Sequence, residues 1–354
     1  MRIVVNDIAA SKDSGGAFSI LSDFYEDVKK NGNEHEWVFL VAADYFEETD
    51  NIKVNSYPEI KKSWLKRLLF DFNYGKKIIN QLEPDIYFSI QNTATLGVKA
   101  KQYVYLHQAL PYQINKNFSF FKKNEIKYAI YQKIIGKIFN FLIKKTKATI
   151  IVQTEWMKSA LIKKNISDEK KVIVVAPMVN KISDSSFSDK KENEQKQFFY
   201  PAGKYIYKDH ETLFNVFLKF NNDVKLILTL DKSDFKRDIV PNNVNFVGKL
   251  TREEVFNYYG NSVLVFPSYI ETYGMPLMEA RKCSQIIFAR NTLFSKEILD
   301  GYENAYFFND GNELEELINR YIEKKIIRKE VKNKNYDEIS LVSIIVDEGE
   351  LKSE

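Results

Sequence analysis

The sequence predicts an α/β protein of two doubly wound domains, and three observations lead there. Short apolar runs alternate with amphipathic stretches through the first half of the chain, the pattern of strands joined by crossover helices in a mostly parallel sheet. A Ser, Lys, Glu, Asp and Asn-rich run from Val179 to Gln197 interrupts that alternation, and the same pattern restarts at Phe198. At 354 residues the chain exceeds one ordinary hydrophobic core, so two domains facing a cleft are expected. Their expected bounds are 1–180 and 198–335, with a linker at 181–197 and a last segment at 336–354.

Each element follows from its periodicity. Arg2 to Asn6 is an apolar run of strand length, and Ala17 to Lys30 sets Phe18, Leu21, Tyr25 and Val28 on one helical stripe. Trp37 to Ala42 is again a strand. A helix from about Ser63 to Leu82 must stop before Pro84, because the residue preceding proline avoids the αR region. Ile86 to Ile90, Tyr103 to Leu106 and Thr149 to Gln153 are short strands, the last followed by a helix that Thr154 can cap. Beyond the polar run come the strand Phe198 to Tyr200, a helix from about His210, and the strands Lys225 to Thr229 and Val244 to Val247. A helix over Arg252 to Tyr259 leads into the strand Ser262 to Phe266. Ile286 to Ala289 and Ala305 to Phe308 are later strands, and Glu313 to Lys324 is a further helix. No internal repeat is present.

Composition narrows the function classes. Hydrophobic residues make up 44% and charged residues 28%, values of a soluble globular chain. No run of about 18 apolar residues occurs, and the amino terminus runs straight into a strand, so neither a spanning helix nor a cleaved signal peptide is expected. The single cysteine, Cys283, excludes an intramolecular disulfide framework and fits a reducing cytoplasm.

The charge is unevenly spread. Residues 116–147 hold nine lysines and one acid, Glu125, a local charge of +8 against +4 for the whole chain, so the remainder carries −4. Aromatic and aliphatic residues interleave with these lysines, among them Phe118, Phe120, Phe121, Ile134, Ile138 and Phe141. A basic helix of this kind lies in the interface of an anionic membrane, and 61–77, with Trp64, Leu68 and Phe70 among lysines and Arg67, is a second candidate. The plainer reading of both is an amphipathic helix covering a sheet with its lysines in water. No nucleic-acid-binding motif accompanies the basicity, so nucleic acid is not expected as a partner.

Phe266 to Ala280 reads F-P-S-Y-I-E-T-Y-G-M-P-L-M-E-A: a strand end, a loop and a helix carrying Glu271 and Glu279 eight residues apart. A glycosidase pair faces one bond across roughly 5 to 9.5 Å, whereas eight residues of helix rise about 12 Å. The two acids thus suit opposite ends of something long, such as a nucleotide sugar. Its diphosphate would lie near the amides of Gly274 and Met275 at a helix N-terminus. Taken alone, the pair also reads as a loop acid and a solvated helix acid.

Further segments join this one. Gly15-Gly16 follow the first strand; Tyr105-Leu-His107-Gln-Ala-Leu-Pro111 follows a later one. Val152-Gln-Thr-Glu-Trp156, Phe199-Tyr-Pro-Ala202 with Lys208-Asp-His210, and Phe246-Val-Gly-Lys-Leu250 come next, in that order. In order and spacing the set resembles the retaining family 4 glycosyltransferases, which have the GT-B fold of two Rossmann-like doubly wound domains facing a central cleft. The similarity extends over nearly the whole chain. It implies transfer of a sugar with retention from a UDP-, GDP- or dTDP-linked donor to a saccharide or lipid-linked acceptor. With the basic aromatic surface, it favours capsule or another cell-surface polysaccharide, made by a cytoplasmic enzyme peripheral to the membrane.

The resemblance also assigns residues. Glu271 would hold donor-sugar hydroxyls and Glu279 the ribose; Thr272, Tyr273, Gly274 and Met275 would line the donor. Lys204 and Lys208 would stabilise the diphosphate leaving group, with no cofactor and no metal; the chain contains no D-x-D. His107 would reach the transferred sugar or acceptor, and the Gly15-Gly16 loop the donor phosphates or acceptor. Relatives commonly carry arginine where Lys204 stands, at a slightly different spacing, and Gly and Pro where this chain has Cys283-Ser284-Gln285. Glu297 also falls on a family-like position, for which a helix-N-terminal acid suffices. In the family the last helix crosses back onto the first domain, which 336–354 would do here. The competing readings are a nucleotide-sugar epimerase of the same fold and a non-catalytic GT-B partner subunit.

Overall fold

The computed structural model describes residues 1–12, 15–178, 196–235, 240–331 and 339–350. Two units divide the chain: Met1–Pro177 together with Asp337–Glu354, and Met178–Tyr336. The expected linker at 181–197 lies almost wholly outside the described residues.

In the first unit the elements run β1 Arg2–Asp7, α1 Gly16–Asn31, β2 Glu36–Val41, β3 Ile52–Ser56, α2 Pro58–Lys61, α3 Trp64–Leu69, α4 Gly75–Gln81, β4 Ile86–Ser89 and β5 Lys101–Tyr105. They continue with α5 Ile126–Ile130, α6 Gly136–Thr146, β6 Thr149–Val152, α7 Glu155–Lys163 and β7 Val172–Val174. All seven strands are parallel, in the order β3-β2-β1-β4-β5-β6-β7. Val4 and Val5 are both fully buried because helices cover both faces, which explains the unbroken apolar runs.

The helix expected over Ser63 to Leu82 is α3 and α4 joined by a π-helical turn, Phe70–Tyr74, and a second such turn, Tyr131–Ile135, joins α5 to α6. The first turn rotates Asp71 inward, where it accepts from Thr93 Oγ1 at 2.6 Å and Thr95 Oγ1 at 2.8 Å. The second turn ends on Gly136, where a Cβ would stand 2.4 Å from Pro111 Cβ. Helix α6 can therefore lie against the segment after β5 only with glycine at that point.

The second unit contains β8 Gln197–Tyr200, α8 His210–Phe217, β9 Lys225–Leu228, β10 Val244–Phe246, α9 Arg252–Asn261 and β11 Val263–Phe266. It continues with α10 Met275–Lys282, β12 Ile287–Arg290, α11 Leu293–Ile298, β13 Ala305–Phe308 and α12 Gly311–Ile322. Its six parallel strands are ordered β10-β9-β8-β11-β12-β13. The order reverses direction between β8 and β11, and ligands of such sheets bind beyond the strand carboxyl ends at that point.

The last described helix, α13 Leu341–Glu350, packs on α1 of the first unit. Val342 and Ile345 are buried, each contributing about 2 kcal/mol by area. The carboxylate of Asp27 in α1 accepts from Ser340 Oγ at 3.0 and 2.9 Å and from Val342 N at 3.3 Å, capping the free N-terminus of α13.

Candidate donor site

The carboxyl ends of β8 and β11 carry the residues singled out in the sequence. β11 is four apolar residues, all buried, and beyond it Pro267 and Ser268 turn the chain into the loop holding Glu271. Glu271 Oε1 accepts from Ser268 Oγ at 2.7 Å and from the Lys208 ammonium, which arrives from the loop after β8. Both members of this ion pair are largely shielded, with side-chain exposures of 15% and 16%. The two loops are tied by one backbone bond, Tyr269 N donating to Tyr207 O at 3.0 Å, while the Tyr200 hydroxyl at the end of β8 donates to Lys208 O at 2.9 Å and steadies the first loop.

Gly274 opens α10 with φ +89°, a left-handed conformation in which a Cβ would also meet Leu277 Cδ1 at 3.2 Å. Pro276 in the first turn has no N–H to leave unpaired, and that turn contains no acid. The amides of this helix start thus form a local positive end beside Glu271. One turn on, Glu279 is buried, accepts from Tyr259 Oη at 2.9 Å, and pairs with Arg252 at 3.2 Å, both from α9. Burial holds its carboxyl above the usual range, against the opposing pull of Arg252 and Tyr259.

The other expected donor residues are placed variously. Thr272 is half-buried and Tyr273 buried within the Glu271 loop. Lys204 is bonded to Asp234 at 2.7 Å on an exposed surface, whereas Lys208 is bonded to Glu271. His210, at the start of α8, is buried and its imidazole is pushed down to about 4, first by burial and then by Lys208, with the Ala202 carbonyl opposing. Cys283 is buried and its thiol pushed up to about 12, leaving it inert. Among the described residues no group of three or more His, Cys, Asp or Glu is placed to hold a metal ion.

In the first unit, His107 follows β5. Its N–H donates to Asn92 Oδ1 at 2.7 Å, which fixes the orientation of the Asn92 amide. Its Nε2 stands 3.0 Å from the Ile90 carbonyl, which calls for a donor, and 3.0 Å from Asn92 Nδ2, which calls for an acceptor, so the two contacts hold the ring in place without selecting one tautomer. Burial pushes this imidazole down to about 4, and it is neutral near pH 7. Gly15 precedes α1 at φ +57°, and a Cβ on Gly15 or Gly16 would meet no atom of the described residues within 4 Å.

Sequence reasoning missed Ser268, Tyr259, Arg252 and Arg290. The only hint was local: Tyr259 and Arg252 share the helix preceding β11, at a spacing that puts both toward one neighbour.

The comparisons with known proteins bear on the fold. The family model described as Glycosyl transferases group 1 matches residues 182–338, the whole of β8 to α12. The second unit is thus similar to the glycosyl transferases group 1 family. Solved structures similar to the entire chain include HepE from Anabaena in complex with UDP and glucose, at TM-score 0.64 and 16% identity over 99% of this chain and 98% of that one. The lipopolysaccharide outer core galactosyltransferase WaaB matches at TM-score 0.62 and 17% identity over 100% of both chains. Sucrose-phosphate synthase from Thermosynechococcus elongatus matches at TM-score 0.64 and 14% identity over 91% of this chain and 89% of that one. At these identities the likeness is one of fold, and the fold is GT-B, with the unit similar to glycosyl transferases group 1 as its second Rossmann-like half. A sequence search of curated proteins returns no match.

Proposed function

We propose that the chain transfers a sugar, with retention and without a metal, from a nucleotide-sugar donor to a saccharide or lipid-linked acceptor. The observation that carries this reading is the Lys208–Glu271 pair at the reversal point of the second sheet, beside the start of α10, which no side chain caps. A site for a sugar diphosphate needs a cation and helix amides for the phosphates, and a carboxylate for sugar hydroxyls, within one small region. Lys208, the Gly274–Met275 backbone and Glu271 meet that requirement. Glu279, held by Arg252 and Tyr259, takes the ribose at the far end; Thr272 and Tyr273 line the loop between.

In this reading the glycosidic bond of the donor breaks as Lys208 and the α10 amides stabilise the departing diphosphate. The acceptor hydroxyl attacks from the same face and gives its proton to a phosphate oxygen, so no protein nucleophile takes part. His107, neutral near pH 7, contacts a hydroxyl of the transferred sugar or of the acceptor. The Gly15-Gly16 start of α1 serves an anionic group, and Lys204 is an auxiliary cation. The similar structure of HepE contains UDP and glucose, which favours a UDP-linked donor ahead of GDP- or dTDP-linked ones.

The acceptor reading draws on the surface of the first unit. Trp64, Leu65, Leu69 and Phe72 are exposed on one helical segment, and Ile130, Ile134 and Phe141 on the other. The rings of Phe72 and Phe141 stack at 6.0 Å, joining the two segments into one apolar face, while residues 126–147 add six lysines and no acid. An anionic bilayer matches both its apolarity and its charge. No helix among the described residues is long and apolar enough to cross a membrane. Synthesis of capsule or another cell-surface polysaccharide at the inner membrane face is the context this suggests.

A mass-spectrometric screen of UDP-, GDP- and dTDP-linked sugars tests the core of the reading. Binding of at least one of them, followed by release of its nucleotide only when acceptor is added, is the expected result. Protein that neither binds nor hydrolyses any of them would sink it.

A further inference from the structure

Arg290 ends β12, and its guanidinium reaches the segments that follow three other strands. Its Nε donates to the Pro267 carbonyl, just after β11, at 2.8 Å, and one terminal nitrogen donates to the Asn309 carbonyl, just after β13, at 3.0 Å. The other terminal nitrogen pairs with the Asp209 carboxylate, between β8 and α8, and lies 3.4 Å from Thr212 Oγ1. The charge also stands 5.6 Å from the centre of the Phe308 ring. Donors on three different nitrogens are therefore spent on protein acceptors, and the group is shielded, with 18% of its side chain exposed.

Two of the loops tied in this way are those that bring Lys208 and Glu271 together. Asp209 follows Lys208 directly and adopts φ 52°, a left-handed conformation that is strained for a residue bearing a Cβ. Its carboxylate is held by Arg290 and by Thr212 Oγ1 at 2.8 Å, and that grip keeps the strained turn in place. Pro267 stands at the opposite root, four residues before Glu271. We infer that Arg290 is a positioning residue, which sets the separation of Lys208 and Glu271 by locking the Asp209 turn to the Pro267 loop. The inference rests on the proposed donor role of that pair. The guanidinium spreads its donors over three nitrogens of a rigid fork, whereas lysine concentrates its three on one atom that cannot reach all of these acceptors at once.

The test compares wild type with Arg290→Gln, Arg290→Lys and Asp209→Asn, each checked for folding by circular dichroism. Acylation of Lys208 by a water-soluble ester, followed by peptide mass spectrometry, reads the position of its ammonium without any donor. With donor, kcat and KM are measured separately. Arg290→Gln is expected to raise the Lys208 acylation rate about tenfold and lower kcat by about 10- to 100-fold, the scale of an ångström-level misplacement, with a smaller change in KM. Arg290→Lys should fall between, and the double variant Arg290→Gln/Asp209→Asn should be no worse than the poorer single one. A folded Arg290→Gln protein with wild-type Lys208 reactivity and wild-type kcat would overturn the inference. If Arg290→Gln does not fold, Asp209→Asn carries the same two expectations and the same contrary result. Should the wild type turn over no nucleotide sugar, the acylation arm still decides the positioning role, while the proposed reaction fails on its own.

Discussion

Lys208 and Glu271 meet across 63 residues of sequence, the lysine from the loop after β8 and the glutamate from the loop after β11. Each is the other's partner, and Ser268 adds a second donor to the same glutamate oxygen. In the proposed reaction each member also has a task of its own toward the donor. Glu271→Ala is therefore expected to lower turnover by about 10²- to 10³-fold, the usual effect of removing one preorganised transition-state contact. Lys208→Met should do the same, and the double variant should lose less than the two singles combined, measured as acceptor-dependent nucleotide release.

Glu279 is held differently, and its variants should behave differently. Tyr259→Phe removes one donor from a buried carboxylate whose pKa burial already raises. Loss of that bond, worth about 1 kcal/mol, should raise donor KM several-fold while kcat changes little. The acid limb of the KM profile should also move to higher pH, because the protonated form is then less opposed.

The Asp71 carboxyl gives a pH signature confined to the first unit. Burial pushes it up to about 7 in the folded chain, with Thr93 and Thr95 opposing, against an ordinary value of 3.8. Between those values the folded state binds the extra proton, so stability falls as pH rises from about 4 to 7 and is flat above, at on the order of 1.4 kcal/mol per pH unit at most. All three tryptophans, Trp37, Trp64 and Trp156, lie in this unit, so their fluorescence follows its unfolding selectively. The stability difference between wild type and Asp71→Asn should decline across that window, and a pH-independent difference would contradict the burial argument.

Gly136→Ala places a methyl where Pro111 Cβ already stands at 2.4 Å. The helix gains about 1 kcal/mol of propensity, but overpacking against a rigid ring costs about 1–3 kcal/mol or more. Net destabilisation of the first unit is expected in urea titrations followed by tryptophan fluorescence. Turnover should fall as well, since Pro111 ends the segment that begins near His107.

Trp64 reports on the proposed bilayer contact. With anionic vesicles at low salt its emission should shift to the blue, and the shift should vanish with neutral lipid or high salt. Trp64→Phe would identify the source of the signal. An unshifted spectrum at saturating anionic lipid would remove the membrane reading and leave the catalytic one intact.

Much of the fold was legible because buried parallel strands are unbroken apolar runs. The strands that escaped notice are weak in that signal: β3, Ile-Lys-Val-Asn-Ser, is a half-exposed edge strand, and β7, Val172–Val174, is three residues long. The π-helical turn at Phe70 escaped because its cause is remote: Asp71 is bonded to threonines 22 and 24 residues further on. The site divides in the same way. Glu271, Gly274 and Glu279 sit in one contiguous motif, and Lys208 follows a strand in a recognisable loop. Arg290 sits at the end of an ordinary strand, and its acceptor Asp209 is 81 residues away. Lys204 was legible as a cation, but not its partner Asp234.

The most direct test of the central claim is a calorimetric titration of matched pairs, each nucleotide sugar against its free nucleotide, into wild type and Glu271→Gln. The expected result is that one nucleotide sugar binds the wild type more tightly than its own nucleotide does, and that Glu271→Gln erases this difference while still binding the nucleotide. Equal affinity of wild type and Glu271→Gln for the nucleotide sugar would contradict the assignment of Glu271 to the sugar.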